Sequence, residues 1–170
     1  MPANDKLIRC LAEGKSGGER HQGLRRTTIS PTTVTGHLVK ARHNFEAVTS
    51  FHDLGYSDWS ASAVFYSLYH GLLALLAQHG YESRNQSCTF ALVEHLIETR
   101  TLTHLTISDL KDIFDRDVST DLLHSTRILD IRERMQYSTR TTLAEDEFQF
   151  LKKRAKTLFD KILLEIEAGR

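Results

Sequence analysis

At 170 residues the chain has the length of one domain and can bury a core without disulfides or metals. Hydrophobic residues make up 40% and charged residues 26%, ordinary values for a globular protein. The 22 basic and 22 acidic residues cancel, so bulk charge does not hold nucleic acid here, and any such contact is a local patch. Balanced charge also opposes self-association weakly.

Residues 1–29 differ from the rest. Asn4 to Glu13 suits a short helix with Leu7, Ile8 and Leu11 on one side, followed by the glycine-rich stretch Gly14-Lys15-Ser16-Gly17-Gly18 and by Arg20, Arg25 and Arg26. The expectation is a flexible or partly helical N-terminal arm. A basic arm touching a partner is the functional alternative. The glycines lack the register of a phosphate-binding loop. Lys6 and Arg9 precede no apolar run, so no signal peptide is expected.

A helical bundle is expected over residues 30–168. Its first helix opens with Ser30 as cap and Pro31 at the first helical position, and ends between His52 and Gly55. Leu38, Ala41, Phe45 and Val48 give it an apolar face. No proline follows Pro31, which permits long helices throughout. The second helix starts at Ser57 or Asp58, both good caps, and stops at Gly80. From Trp59 to Ala77 it carries no Lys, Arg, Asp or Glu. That length suits a membrane span. Ser60, Ser62, Ser67, Tyr66, Tyr69 and His70 would be costly in lipid, so a central helix buried by its neighbours is the better reading, and no membrane association is expected.

A polar turn over Glu82 to Ser87 leads to a third helix from Ser87 to Thr99. A short helix follows from Ser108 to Asp117, then a long one from Thr120 to Met135. Tyr137 to Thr141 reads as a break. Thr142 and Glu145 stand at capping-box spacing before a last helix whose inner stripe is Phe148, Leu151, Ala155, Leu158, Phe159, Ile162 and Ile166. No segment alternates as a strand would, and no repeat is present.

Nine histidines invite a search for a metal site. There is no HExxH, and His37 and His43 are six apart, on different faces of their helix. No metal or other cofactor is expected. The chain has no GxSxG nucleophile motif. Cys10 and Cys88 form no CxxC pair, which fits a reducing compartment and a cytoplasmic location. Cys88 lies at a helix start, where a thiol pKa can fall, but reads as a packing residue.

Two segments are informative. In the central helix, Tyr66, Tyr69, His70 and Leu73 share a face by their spacing. Near the end of the fourth long helix, Arg127, Arg132, Arg134 and Arg140 gather against only Asp130 and Glu133, a basic patch on a neutral chain. The plain structural readings stand beside the functional ones. The tyrosines fit as core aromatics, His70 as a hydrogen-bonded interior histidine, and Arg132 and Arg134 as cations at a helix C-terminus.

Read together, the two segments resemble the HEPN family, the higher eukaryotes and prokaryotes nucleotide-binding domains. One branch has a second helix of the form S-R-A-Y-Y-A-x-F-H-A-x-x-A-L-L, and residues Ser62 to Leu76 read S-A-V-F-Y-S-L-Y-H-G-L-L-A-L-L. Its "K-G" helix end is similar to His79-Gly80. Its "L-R-x-x-A-D-Y" helix end is similar to Ile131-Arg132-Glu133-Arg134-Met135-Gln136-Tyr137. The resemblance spans about Pro31 to Ile166. It implies an all-α, up-and-down bundle of four or five helices, often a homodimer. Many members pair with a nucleotidyltransferase in toxin–antitoxin or antiviral defence systems.

Active HEPN members cut RNA without metal, using an arginine and a histidine four to six residues apart. The histidine moves a proton and the arginine stabilises phosphate charge. Arg132 matches the arginine, but Tyr137 stands where the histidine belongs, and a phenol with pKa about 10 is a poor base near neutrality. Gln86 occupies a loop position where histidine is frequent in the family, and the nearest Arg–His pair, Arg100 and His104, is misplaced.

The expectation is therefore an RNA- or nucleotide-binding module with Arg127, Arg132, Arg134 and Arg140 on phosphate. Tyr66, Tyr69 and His70 would support the site, and Arg132 and Tyr137 would be the catalytic pair if one exists. The alternatives are a non-catalytic, antitoxin-like dimerising partner, or a metal-independent endoribonuclease whose base is displaced to His70 or His124.

Overall fold

Ser30 accepts the Thr33 amide through its Oγ and Pro31 occupies the first helical position, so a long helix starts where the sequence predicts it. A computed structural model describes residues 3–114 and 126–169. In chain order the elements are α1 (Ala3–Ser16), β1 (Leu24–Arg26), α2 (Pro31–Asp53), α3 (Ser57–Gln78), β2 (Tyr81–Ser83), α4 (Gln86–Glu98), α5 (Ile107–Ile113), α6 (Ile128–Tyr137) and α7 (Glu145–Ala168). The result is an all-α bundle carrying a two-stranded ribbon.

Helix α3 is the centre. It packs against α2, α4, α6, α7 and β2. Val64, Phe65, Leu68, Leu72, Leu75 and Leu76 are fully buried. It is the one described helix long and apolar enough to cross a membrane, and it lies mostly inside the bundle. Its buried hydroxyls donate to the neighbouring helix: Ser60 Oγ to the Val48 carbonyl and Ser67 Oγ to the Ala41 carbonyl, both at 2.8 Å. As the α3 number rises by seven, the α2 number falls by seven. The two helices are therefore antiparallel in fixed register, and each such bond removes the penalty of a buried, unpaired hydroxyl. Helix α7 covers α3 with the expected stripe, all seven residues of which are buried.

Several expectations are corrected. The N-terminal segment takes the helical one of its two expected forms, and it is packed rather than loose: Leu7, Cys10 and Leu24 are buried and α1 packs on α4 and β1. Gly14 and Gly23 allow this, because a Cβ on either would overlap the backbone of Leu24 or Cys10 respectively. Cys10 and Cys88 form a disulfide, contrary to the reading of Cys88 as a lone packing thiol. Strands exist after all. β1 and β2 pair antiparallel, Leu24 opposite Ser83 and Arg26 opposite Tyr81. Helix α4 begins at Gln86, one residue before the expected Ser87, and Asn85 caps it by accepting the Cys88 amide. No capping box forms at Thr142: α7 starts at Glu145 after Ala144. The Ser57 hydroxyl does not cap α3 but accepts the Leu143 amide at 2.8 Å, fixing the loop before α7. The expected start of the fourth long helix at Thr120 lies outside the described residues, as does His124. Within the described residues the helix α6 begins only at Ile128, after the extended Arg127, rather than running through from Thr120, and its first amide, on Ile128, donates to Asp112.

Carboxylates tie the remaining joints. Asp109 completes a capping box with Thr106 and receives Lys161 at 2.6 Å and Arg154 at 3.2 Å. Its pKa is lowered: burial opposes this, but the bonds from Lys161 and Thr106 prevail. Buried Glu165 accepts the backbone amides of His104 and Leu105.

At the other end of α7, Glu145 Oε2 lies 2.8 Å from His52 Nε2, and Asp53 lies 3.2 Å from the other ring nitrogen. The bond to Glu145, then that to Asp53, raises the His52 pKa above its ordinary value of about 6.5. The sign follows: the folded state favours the charged ring, so this contribution is complete at acidic pH and disappears as pH rises through the raised value. Proton NMR titration of His52 is expected to show a midpoint above about 6.5 that falls towards it in Glu145→Gln. Equal midpoints in the two proteins would contradict the assignment.

Candidate nucleotide-binding cleft

Residues 58, 59, 62 and 66 recur along one side of α3, and α6 crosses beside them. Between the two, and under the loop after α6, lies a cavity of about 470 Å³, within the range of small-ligand sites. Asp58, Trp59, Ser62 and Tyr66 line it from α3, and Arg132, Met135 and Gln136 from α6. Ser138, Thr139, Arg140 and Thr141 close it from the loop. Trp59 is 58% exposed and Tyr66 41%, large aromatic surfaces left open to solvent at the start of an otherwise buried helix.

The Arg132 guanidinium lies over the ring of Phe65, 4.2 Å from its centroid, and 5.6 Å from that of Tyr66. Cation–π contacts of this kind are worth about 0.5–2 kcal/mol and fix the plane of the guanidinium. Phe65 is held in turn, edge-on to Tyr66 and parallel to Tyr69. Arg132 Nε is buried and makes no hydrogen bond within the described residues. The head group is thus oriented by aromatic faces, leaving its donors for something else. Arg140 is exposed on the facing loop, whose turn is set by its own amide donating to Ser138 Oγ. Two arginines against one carboxylate, Asp58, leave the cleft with a positive balance.

The structure divides the expected basic patch. Arg132 and Arg140 share the cleft. Arg134 does not: two residues along a helix is about 200° of rotation, which turns it inward, where it is buried and ion-paired with Glu147. Burial lowers its pKa first, and Arg140 nearby lowers it further. Arg127 lines a separate cavity with Asp112, Phe150 and Arg154. Tyr137 is 81% exposed and does not line the cleft, so the structure does not bring the expected pair Arg132 and Tyr137 together there.

The predicted aromatic face of α3 also divides. Tyr66 reaches the cleft, whereas Tyr69 is buried with its hydroxyl 3.2 Å from Thr89 Oγ1. Burial raises the Tyr69 pKa, away from any role as a base. His70 is half-buried and faces His37 on α2. Burial, then His37 and Lys40, lowers its pKa. No imidazole lines the cleft among the described residues.

Sequence reasoning missed Trp59, Asp58 and Phe65. A signal existed for the first: the single tryptophan stands seven residues before Tyr66, two helical turns along the same face. No known protein family matches the chain, and no curated protein sequence matches it either.

Proposed function

We propose that the cleft binds a nucleotide or a short single-stranded RNA segment, and that the chain is a HEPN-like binding module. The carrying observation is the arrangement of two open aromatic rings, Trp59 and Tyr66, beside the preoriented guanidinium of Arg132 and the exposed Arg140. Bases stack on such rings for about 1–3 kcal/mol each, and arginines hold phosphate through paired donors. Asp58 and Ser62 offer acceptors to ribose or base hydrogens.

On this reading the module works in the cytoplasm as a homodimer beside a nucleotidyltransferase in a toxin–antitoxin or defence pair. Light scattering of the purified chain checks the dimer. The test of the cleft is fluorescence anisotropy with a labelled single-stranded RNA. Arg132→Ala is expected to weaken binding about tenfold, the loss of a charge-assisted contact. Trp59→Ala should lose about 1–3 kcal/mol. The affinity should fall with salt, less steeply once Arg132 or Arg140 is removed. Affinities equal to wild type in both variants, or no binding by any of the proteins, would sink the reading.

A further inference from the structure

The seam between α2 and α3 carries more than the two serine bonds. The register that sets Ser60 on Val48 and Ser67 on Ala41 brings His37 and His70 together near the next turn. Their Nδ1 atoms are 3.2 Å apart, and the rings meet at 5.5 Å with a 33° tilt. Neither ring makes another hydrogen bond among the described residues. Both are half-buried, and His37 also lines a cavity of about 310 Å³ with Thr27, Thr28, Ser30 and Thr33.

We propose that His37 and His70 form a two-imidazole clip for a divalent late transition ion, Zn2+ in the first instance, joining α2 to α3. Zinc–imidazole bonds are about 2.0–2.1 Å long, so two nitrogens on one tetrahedral ion stand roughly 3.3–3.4 Å apart. The observed separation is within a few tenths of an ångström of that, on two helices whose register is already fixed. Without an ion the pair shares one hydrogen: one Nδ1–H donates to the other Nδ1. With the ion bound, both Nδ1 atoms ligate and both rings carry their hydrogen on Nε2, so one ring changes tautomer and no proton is lost. Imidazole selects Zn2+, Ni2+ or Cu2+ over Mg2+ and Ca2+, which prefer oxygen. Lys40 is exposed one turn from His37 and its charge reaches His70, so it opposes the ion.

The test is calorimetric titration of the oxidised full chain with zinc chloride, with magnesium chloride as control. One saturable Zn2+ site per chain is expected. It should be lost in His37→Ala and in His70→Ala, kept in His43→Ala, and tightened in Lys40→Gln. If either alanine variant fails to fold, substoichiometric Cu2+ added to 15N-labelled wild type gives the same answer by paramagnetic broadening. Broadening centred on the amides around His37 and His70 supports the clip, and broadening centred elsewhere overturns it. Zinc binding that persists in both alanine variants, or a wild-type Kd weaker than about 1 mM, also overturns it.

Discussion

Reducing the Cys10–Cys88 disulfide is expected to lower the stability of the chain by about 2–4 kcal/mol, read as a drop in the denaturation midpoint under a strong reductant. The bond joins residues 78 apart in sequence. For a loop of that length the chain-entropy relation gives about 4.5 kcal/mol, the larger end of what such a crosslink delivers. The loss should begin locally. The main partners of helix α1 are α4 and β1. Buried Leu7, partly buried Leu11, the three-residue β1–β2 ladder beyond it, and Lys6 on the Ser87 hydroxyl also fasten it. Hydrogen exchange should therefore show residues 3–16 losing protection while α3 and α7 keep theirs. A Cys10→Ser variant should behave as the reduced protein does. The aromatic cleft is built from other elements, so RNA binding should survive the treatment. Identical midpoints in oxidised and reduced protein would mean that α1 is held by packing alone. In a reducing cytoplasm, the location that the HEPN-like reading carries, the pair would exist mainly as thiols. Free-thiol titration of freshly isolated protein thus bears on the location as well as on the fold.

The disulfide also marks where the sequence stops being readable. Helices α2, α3 and α7 were legible because each announces itself locally: Ser30-Pro31 at one start, an uncharged run, an apolar stripe at three- and four-residue steps. A crosslink between positions 78 apart has no local signature. Nor do strands three residues long, since Leu24-Arg25-Arg26 and Tyr81-Glu82-Ser83 are too short to show an alternation. Helix starts were misplaced by one or two residues wherever several polar residues compete, as Asn85, Gln86 and Ser87 do at the start of α4. The basic patch was visible as composition but not as geometry. Arg132 and Arg134 are neighbours in the sequence, yet the helical rotation sends one to the cleft and the other to Glu147. Phe65 was legible as core and illegible as the platform beneath Arg132, because that role depends on where α6 crosses α3.

Phe65→Ala is expected to cost about 3–5 kcal/mol, the largest single-residue effect anticipated here. The side chain is fully buried and stacks on Tyr69, so truncation leaves a cavity under the central helix. With a protein of this size holding about 5–15 kcal/mol in all, the variant should melt well below wild type. Its loss of RNA affinity would then say little, since unfolding alone explains it. Phe65→Leu separates the two roles. Leucine fills most of the volume and keeps the helix packed, at a cost nearer 1–2 kcal/mol. It offers no aromatic face, so the Arg132 guanidinium loses its closer platform and keeps only the more distant Tyr66 ring. Worth about 0.5–2 kcal/mol, that contact should appear as a severalfold weaker RNA affinity in a protein that is still folded at the assay temperature. Binding by Phe65→Leu equal to wild type would show that Arg132 needs no aromatic support to meet its ligand. In that event the orientation of the guanidinium would have to come from the ligand itself, and the cleft would not be preorganised.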